Sequence, residues 1–135
     1  MKNITWYNYT LNGAAHEANS IDSVTWDGLK LVIILKRGNS LEKSEKISVT
    51  FVRSSPFSPF AYRLTNESQR QETWNSSINP SPVSAIRFTQ ESEFIDWLKN
   101  EDGEITDFSK IKHYLIGNDD VLEVLSQEDP VIGIA

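Results

Sequence analysis

The apolar residues of this chain fall in short runs, several alternating with polar ones, punctuated by Gly, Pro, Asn, Asp and Ser. Alternation places one set of side chains on one face of an extended segment, so the pattern predicts strands. ITWYNYTL (Ile4 to Leu11), rich in β-branched and aromatic residues, reads as the first strand, and GAAHEANSID after it as a loop. SVTWDGLKLVIILKRGN carries two strands broken at Asp27-Gly28, a two-residue hairpin signal. The second, Leu29 to Lys36, is apolar at successive positions, which predicts a central strand covered on both faces. ISVTFV (Ile47 to Val52) alternates, with Ile47, Val49 and Phe51 on one side.

SSPFSPF reads as a loop whose Phe57 and Phe60 fold back onto the core, and AYRLT as a short strand. Asn66 to Ser84 is polar and without period, open to either a loop or an exposed hairpin. SAIRFT (Ser84 to Thr89) returns to strand character. A helix follows over residues 90–100, capped by Thr89, with Glu91 and Glu93 at the positive end of its dipole. Phe94, Ile95, Trp97 and Leu98 form its apolar stripe, so Phe94 and Trp97 both read as core residues. Ile111 to Ile116 and Val121 to Leu125 flank a GNDD turn as a second hairpin, and VIGIA adds a short last strand. These elements predict one α+β domain over residues 1–135, mainly antiparallel sheet of seven or eight strands with one clear amphipathic helix.

Composition supports a packed domain. Charged residues are 24% of the chain and mixed along it, and four Trp, four Tyr and six Phe supply a core. There is no Cys, which removes disulfides, thiolate metal sites and a Cys nucleophile together. The longest apolar run, Leu31 to Leu35, is far short of the roughly 20 residues that span a bilayer. The N-terminal residues lack the apolar stretch of a signal peptide, so a cytoplasmic protein is expected, and the Asn-x-Ser/Thr sequons at Asn3, Asn8, Asn66 and Asn75 read as chance matches.

Charge is unevenly placed. Residues 1–90 hold ten Lys/Arg and seven Asp/Glu, a net of +3, whereas residues 91–135 hold three and twelve, a net of −9. A segment this acidic repels nucleic acid and membrane headgroups and attracts basic proteins. The competing explanation is a solvated acidic face that keeps the protein soluble.

Motifs for chemistry are sparse. His16 lies beside Glu17 in a predicted loop and reads as a surface histidine. His113 is expected to share a strand face with Ile111 and Leu115, and a cross-strand pair with Glu123 would raise its pKa, as a general base needs. Neither Asn118, Asp119, Asp120 and Glu123 nor Asp102, Glu104 and Asp107 has the ligand alternation of a calcium loop, and no metal or cofactor is expected. The chain has no GxGxxG and no Walker loop. Arg53, Arg63, Arg70 and Arg87, with the four Trp, leave open a module for a small ligand or single-stranded nucleic acid.

The element order resembles that of small stand-alone bacterial proteins, some of them immunity proteins of contact-dependent growth inhibition and related polymorphic toxin systems. The residues that carry the resemblance are Trp26-Asp27-Gly28 in the early hairpin, the Ala61-Tyr62-Arg63 strand, Phe94, Trp97 and Leu98 of the helix, and the end from Lys112-His113-Tyr114-Leu115-Ile116 through Asp119-Asp120 and Glu123-Val124-Leu125-Ser126 to Glu128-Asp129-Pro130. The resemblance implies a non-catalytic inhibitor that binds a cognate toxin domain, commonly a basic nuclease, and covers its active site. It carries over no binding residue. From charge alone, the expected toxin-binding residues are Asp119, Asp120, Glu123, Glu128 and Asp129, then Glu101, Asp102 and Glu104.

Overall fold

The Asp27-Gly28 turn forms as its residues require: Asp27 Oδ1 accepts from the backbone N–H of Leu29 at 2.9 Å and of Lys30 at 2.7 Å, and Gly28 takes φ +99°. The computed structural model describes residues 3–9, 18–37, 46–103, 105–117 and 120–135. In chain order its elements are β1 (Ile4–Thr5), β2 (Tyr7–Asn8), β3 (Ala18–Trp26), β4 (Lys30–Arg37), β5 (Lys46–Val52) and β6 (Ala61–Asn66). A 3₁₀ turn (Glu67–Gln69), α1 (Gln71–Asn75), β7 (Ser77–Ile78), β8 (Ile86–Thr89) and α2 (Glu93–Asp102) follow, then β9 (Lys112–Ile116), β10 (Asp120–Ser126) and β11 (Val131–Ile134).

Two antiparallel sheets carry this α+β fold, five strands in the order β2-β8-β9-β10-β6 and four in the order β11-β5-β4-β3. β1 and β7 add a small parallel pair. The inner faces share one core: Leu31, Ile33, Leu35, Ile47, Val49 and Phe51 from the four-stranded sheet meet Ile86, Tyr114, Ile116, Leu122 and Val124 from the five-stranded one. The outer face of the five-stranded sheet is covered as well. Phe94 and Ile95 of α2 pack there with Phe108, Ile111 and Leu125, and Trp6 packs with Leu115, Val121 and Trp74. Among the described residues no helix is long and apolar enough to cross a membrane.

Several local expectations are corrected. The predicted first strand is two short ones, broken at the buried Trp6, and β3 begins at Ala18, inside the predicted loop. β4 is interior in its sheet but not fully covered on both faces: Leu31, Ile33 and Leu35 are buried while Val32 and Ile34 are only partly buried. Residues 66–84 form neither a plain loop nor a hairpin, because Asn66 Oδ1 accepts from Ser68 N–H at 3.0 Å and starts the 3₁₀ turn that leads into α1. Ser92, not Thr89, caps α2, accepting from Ile95 N–H at 3.2 Å, and Gly103 ends the helix at φ +67°. Phe60 stacks on Trp26 at 5.0 Å between ring centroids, but Phe57 is 86% exposed. Trp97 is 51% exposed, since the sheet side of α2 is filled by Phe94, Ile95 and Leu98.

Candidate functional site

Strand alternation decides which polar side chains end beneath the helices. Tyr114 and Ile116 of β9, with Leu122 and Val124 of β10, point into the inter-sheet core. His113 and Glu123 therefore face the other way, toward α2 and the segment around α1. In the ladder Glu123 lies opposite Arg63 of β6 on one side and Leu115 of β9 on the other, and His113 lies opposite Leu125, so His113 reaches Glu123 diagonally.

Three side chains converge on this carboxylate, and a fourth binds its histidine. Arg63 makes a two-pronged contact, Nε to Oε2 at 2.7 Å and Nη2 to Oε1 at 3.0 Å. Arg70 Nη2 donates to Oε1 at 3.0 Å and also to Thr73 Oγ1 at 3.0 Å. His113 Nε2 lies 3.0 Å from Oε1, and its Nδ1 lies 2.7 Å from Ser92 Oγ. Glu123 is fully buried, as is all but 2% of His113.

Glu123 is ionised and only accepts, so His113 Nε2 carries the proton. Nδ1 of the neutral ring then accepts from the Ser92 hydroxyl, which itself accepts from Ile95 N–H. Burial alone would raise the Glu123 pKa, but the hydrogen bonds from His113 and Arg63 outweigh it and bring it down to about 2. Burial holds the His113 pKa below its ordinary value, against the opposing hydrogen bond and charge of Glu123. The pair raises the histidine's pKa as expected, but desolvation of the ring is the larger effect, so the net shift is downward.

Serine, histidine and glutamate in a row suggest a hydrolase triad, but their arrangement differs from one. The ring is reversed, with Nδ1 toward the serine and Nε2 toward the carboxylate. Ser92 is already held as the α2 cap, and the imidazole is wedged edge-on between Trp6 and Phe94, at centroid distances of 5.0 and 5.3 Å. This geometry fastens α2 to the sheet.

Above the network lies an open cleft of about 590 Å³ between α1 and α2, walled by Phe94, Trp97, Gln71 and Thr73 and floored by Arg63 and Arg70. The Arg63 guanidinium sits 4.0 Å over the Phe94 ring, and Trp97 stacks on the same ring at 5.8 Å. Two guanidinium groups over one carboxylate and a neutral imidazole leave the floor with one excess positive charge, while Glu72 and Glu93 line the same cleft.

The acidic residues expected to form one binding face are dispersed. Glu123 is corrected outright: it is buried and saturated with donors, so it offers no oxygen to a partner. Asp120 is exposed at the start of β10, whereas Glu128 and Asp129 are exposed beyond its far end, about 20 Å of extended strand away. Asp129 is bound by Lys112 Nζ at 2.9 Å and by the Tyr114 hydroxyl. Asp102 accepts from Thr106 N–H at 2.7 Å and from its hydroxyl at 2.8 Å, closing the turn after α2. Glu101 is exposed on the same helix. Asp119, Glu104, Asn118 and His16 lie outside the described residues.

The cluster that does form on the surface is α2 itself. Between Glu91 and Asp102 the chain has five carboxylates and one lysine, a net of −4. Glu93 and Glu101 lie one turn to either side of the exposed Trp97, with Asp96 beside it. Sequence reasoning missed Ser92 as part of the network and Arg63 and Arg70 as its cations, since 60 and 53 residues separate the two arginines from Glu123. The one available signal was Ser92, an N-cap residue type just ahead of the apolar stripe that begins at Phe94. No protein-family model, curated protein or solved structure matches the chain.

Proposed function

We propose that this protein is a cytoplasmic, single-domain inhibitor of the immunity-protein type, which binds a basic toxin domain with the outer face of α2 and covers its active site. The observation that carries the reading is Trp97. A large aromatic side chain, half-exposed and ringed by Glu93, Asp96 and Glu101, has the composition of an interface anchor. The carboxylates steer a basic partner into encounter, and burial of the indole then slows its release. This moves the expected contact from the Asp119-Asp120 turn to α2, and retains Glu101 and Asp102 from the original set. The Ser92–His113–Glu123 string supports the same reading, because it spends its polar atoms on holding α2 in place.

The test is capture from a lysate of the source organism at low and high salt, with wild type, Trp97→Ala and a Glu93→Lys/Glu101→Lys double variant. A single basic polypeptide, retained by wild type, released at high salt, lost with either variant and toxic when expressed alone, is the expected result. Equal retention by all three proteins removes α2 as the interface, and retention of no polypeptide removes the inhibitor reading.

A second reading has one observation in its favour. The α1–α2 cleft has the size of a small-ligand site, and Arg63, Arg70 and Trp97 suit a ligand with an aromatic ring and an anionic group. Quenching of tryptophan fluorescence by a mononucleotide, abolished in Trp97→Ala, would favour it over the inhibitor.

A further inference from the structure

Arg87 lies on β8, an interior strand of the five-stranded sheet, and is only 7% exposed. A guanidinium in that position needs compensation, because a buried charge without a partner costs several kcal/mol. Its five N–H donors have little to bind. Nη1 donates to the neutral Asn79 Oδ1 at 2.7 Å, and Nε is buried with no hydrogen-bond partner. No carboxylate pairs with Arg87 among the described residues. Glu123 differs in this respect: it gathers two arginines, while Arg87 has none of the counter-charge. Burial pulls the Arg87 pKa down to about 10, with no opposing charge among the described residues to restore it.

Beside this side chain is a cavity of about 230 Å³ lined by Arg87, Glu67, Trp74, Gly117 and Val121. One water needs only about 15 Å³ of such space, so there is room for a small ion and its hydration. Two other donors of the lining residues are already occupied. Trp74 Nε1 donates to the Glu67 carbonyl at 2.9 Å, and Gly117 N–H donates to the Ala85 carbonyl at 3.1 Å. Gly117 sits at φ +96°, where an added Cβ would come within 2.5 Å of the Asp120 carbonyl oxygen. Only glycine is therefore tolerated at this position next to the cavity. Glu67, an exposed residue of the lining, brings a carboxylate to the solvent side of the cavity's surroundings.

We propose that this cavity is a binding site for a small, singly charged oxyanion, held by the Arg87 guanidinium on its wall. A cationic N–H donor suits the oxygens of a carboxylate or a monoanionic phosphate. The Glu67 carboxylate repels higher charge, so dianions bind less well. The site is separate from the α2 surface and does not depend on the inhibitor reading.

The experiment is thermal unfolding in acetate, phosphate, sulfate and chloride titrations at constant ionic strength, on wild type, Arg87→Met and Glu67→Gln. Phosphate and sulfate stabilise many folds by exclusion from the surface, without saturation, so the comparison between proteins carries the result. Wild type should show a saturable rise in melting temperature, and acetate against phosphate at pH 6 and 8 separates carboxylate from monoanionic phosphate. Arg87→Met should lose the saturable part and, in chloride alone, melt no lower than wild type, because the methionine removes an uncompensated charge. Glu67→Gln, a surface change, should lower the half-saturating concentration by about two- to fivefold. If Arg87→Met does not fold, the Glu67→Gln shift decides. The same unsaturated slopes in wild type and Glu67→Gln would overturn the proposal.

Discussion

Replacing Glu123 by Gln keeps the shape of the side chain and removes the charge that two arginines share. A pKa lowered from 4.5 to about 2 corresponds to roughly 3 kcal/mol in favour of the ionised form. Breaking a buried ion pair by removing one partner costs about 3–5 kcal/mol in general. The lower end applies here, because the Arg63 side chain is 38% exposed and can rehydrate, while Arg70, at 16%, cannot do so as freely. The expected loss is therefore about 3 kcal/mol, a large share of the roughly 5–15 kcal/mol that holds a domain together. In urea, followed by tryptophan fluorescence, a slope of about 1.5 kcal/mol/M converts this to a midpoint about 2 M lower. Adding Arg70→Met to Glu123→Gln should recover about 1 kcal/mol, since it removes a guanidinium left without its counter-ion. A midpoint shift below about 0.5 M for Glu123→Gln, or a further loss on adding Arg70→Met, would refute the reasoning.

Acid should weaken the fold in two stages. His113 is neutral when folded and its pKa is lowered, so the unfolded chain takes up the proton first, and stability present above pH 6.5 is lost as pH falls through that value. The contribution of Glu123 is present above about pH 4.5 and disappears as pH falls toward 2. Urea midpoints should thus decline as pH falls from 8 toward 2, and His113→Gln should flatten the upper part only. Ser92→Ala removes both the cap of α2 and the donor to His113 Nδ1 and should cost about 2 kcal/mol, with Ser92→Thr restoring most of it. Gly117→Ala meets both a positive φ and a carbonyl oxygen 2.5 Å from its new Cβ, so a loss of about 2 kcal/mol is expected by the same assay.

The strands were legible wherever one face is buried, as in Ile47, Val49 and Phe51, because burial imposes the period that the sequence then displays. Leu31 to Leu35 misled for a related reason. Its Val32 and Ile34 lie on a partly buried sheet face, where apolar residues are tolerated, and a run of five does not distinguish that from a strand covered twice. Trp97 likewise follows the apolar stripe of α2 but sits at its margin, and only the packing of Leu98 and Phe94 beneath shows that the sheet has no room for it. The His113–Glu123 pair was foreseeable from two alternating strands and a short turn. Its burial was not, since the roof over it comes from Trp6 and Phe94, and its cations from β6 and the turn before α1.

The placement of β10 between β9 and β6 has a consequence for how the protein is made. Glu123 emerges from the ribosome 60 residues after Arg63, an interval of about 3–12 s at ordinary rates of synthesis. Until then the hairpins of β3, β4 and β5 stand with Leu31, Ile33, Leu35, Val49 and Phe51 facing no opposite sheet, since β9 and β10 supply most of that cover. A nascent chain halted after α2 would present an open apolar sheet and two arginines with no counter-charge. It is a substrate for chaperones and proteases rather than a weaker version of the protein. Folding thus waits on the β9–β10 hairpin, and nonsense mutations as late as β10 should leave no folded product at all.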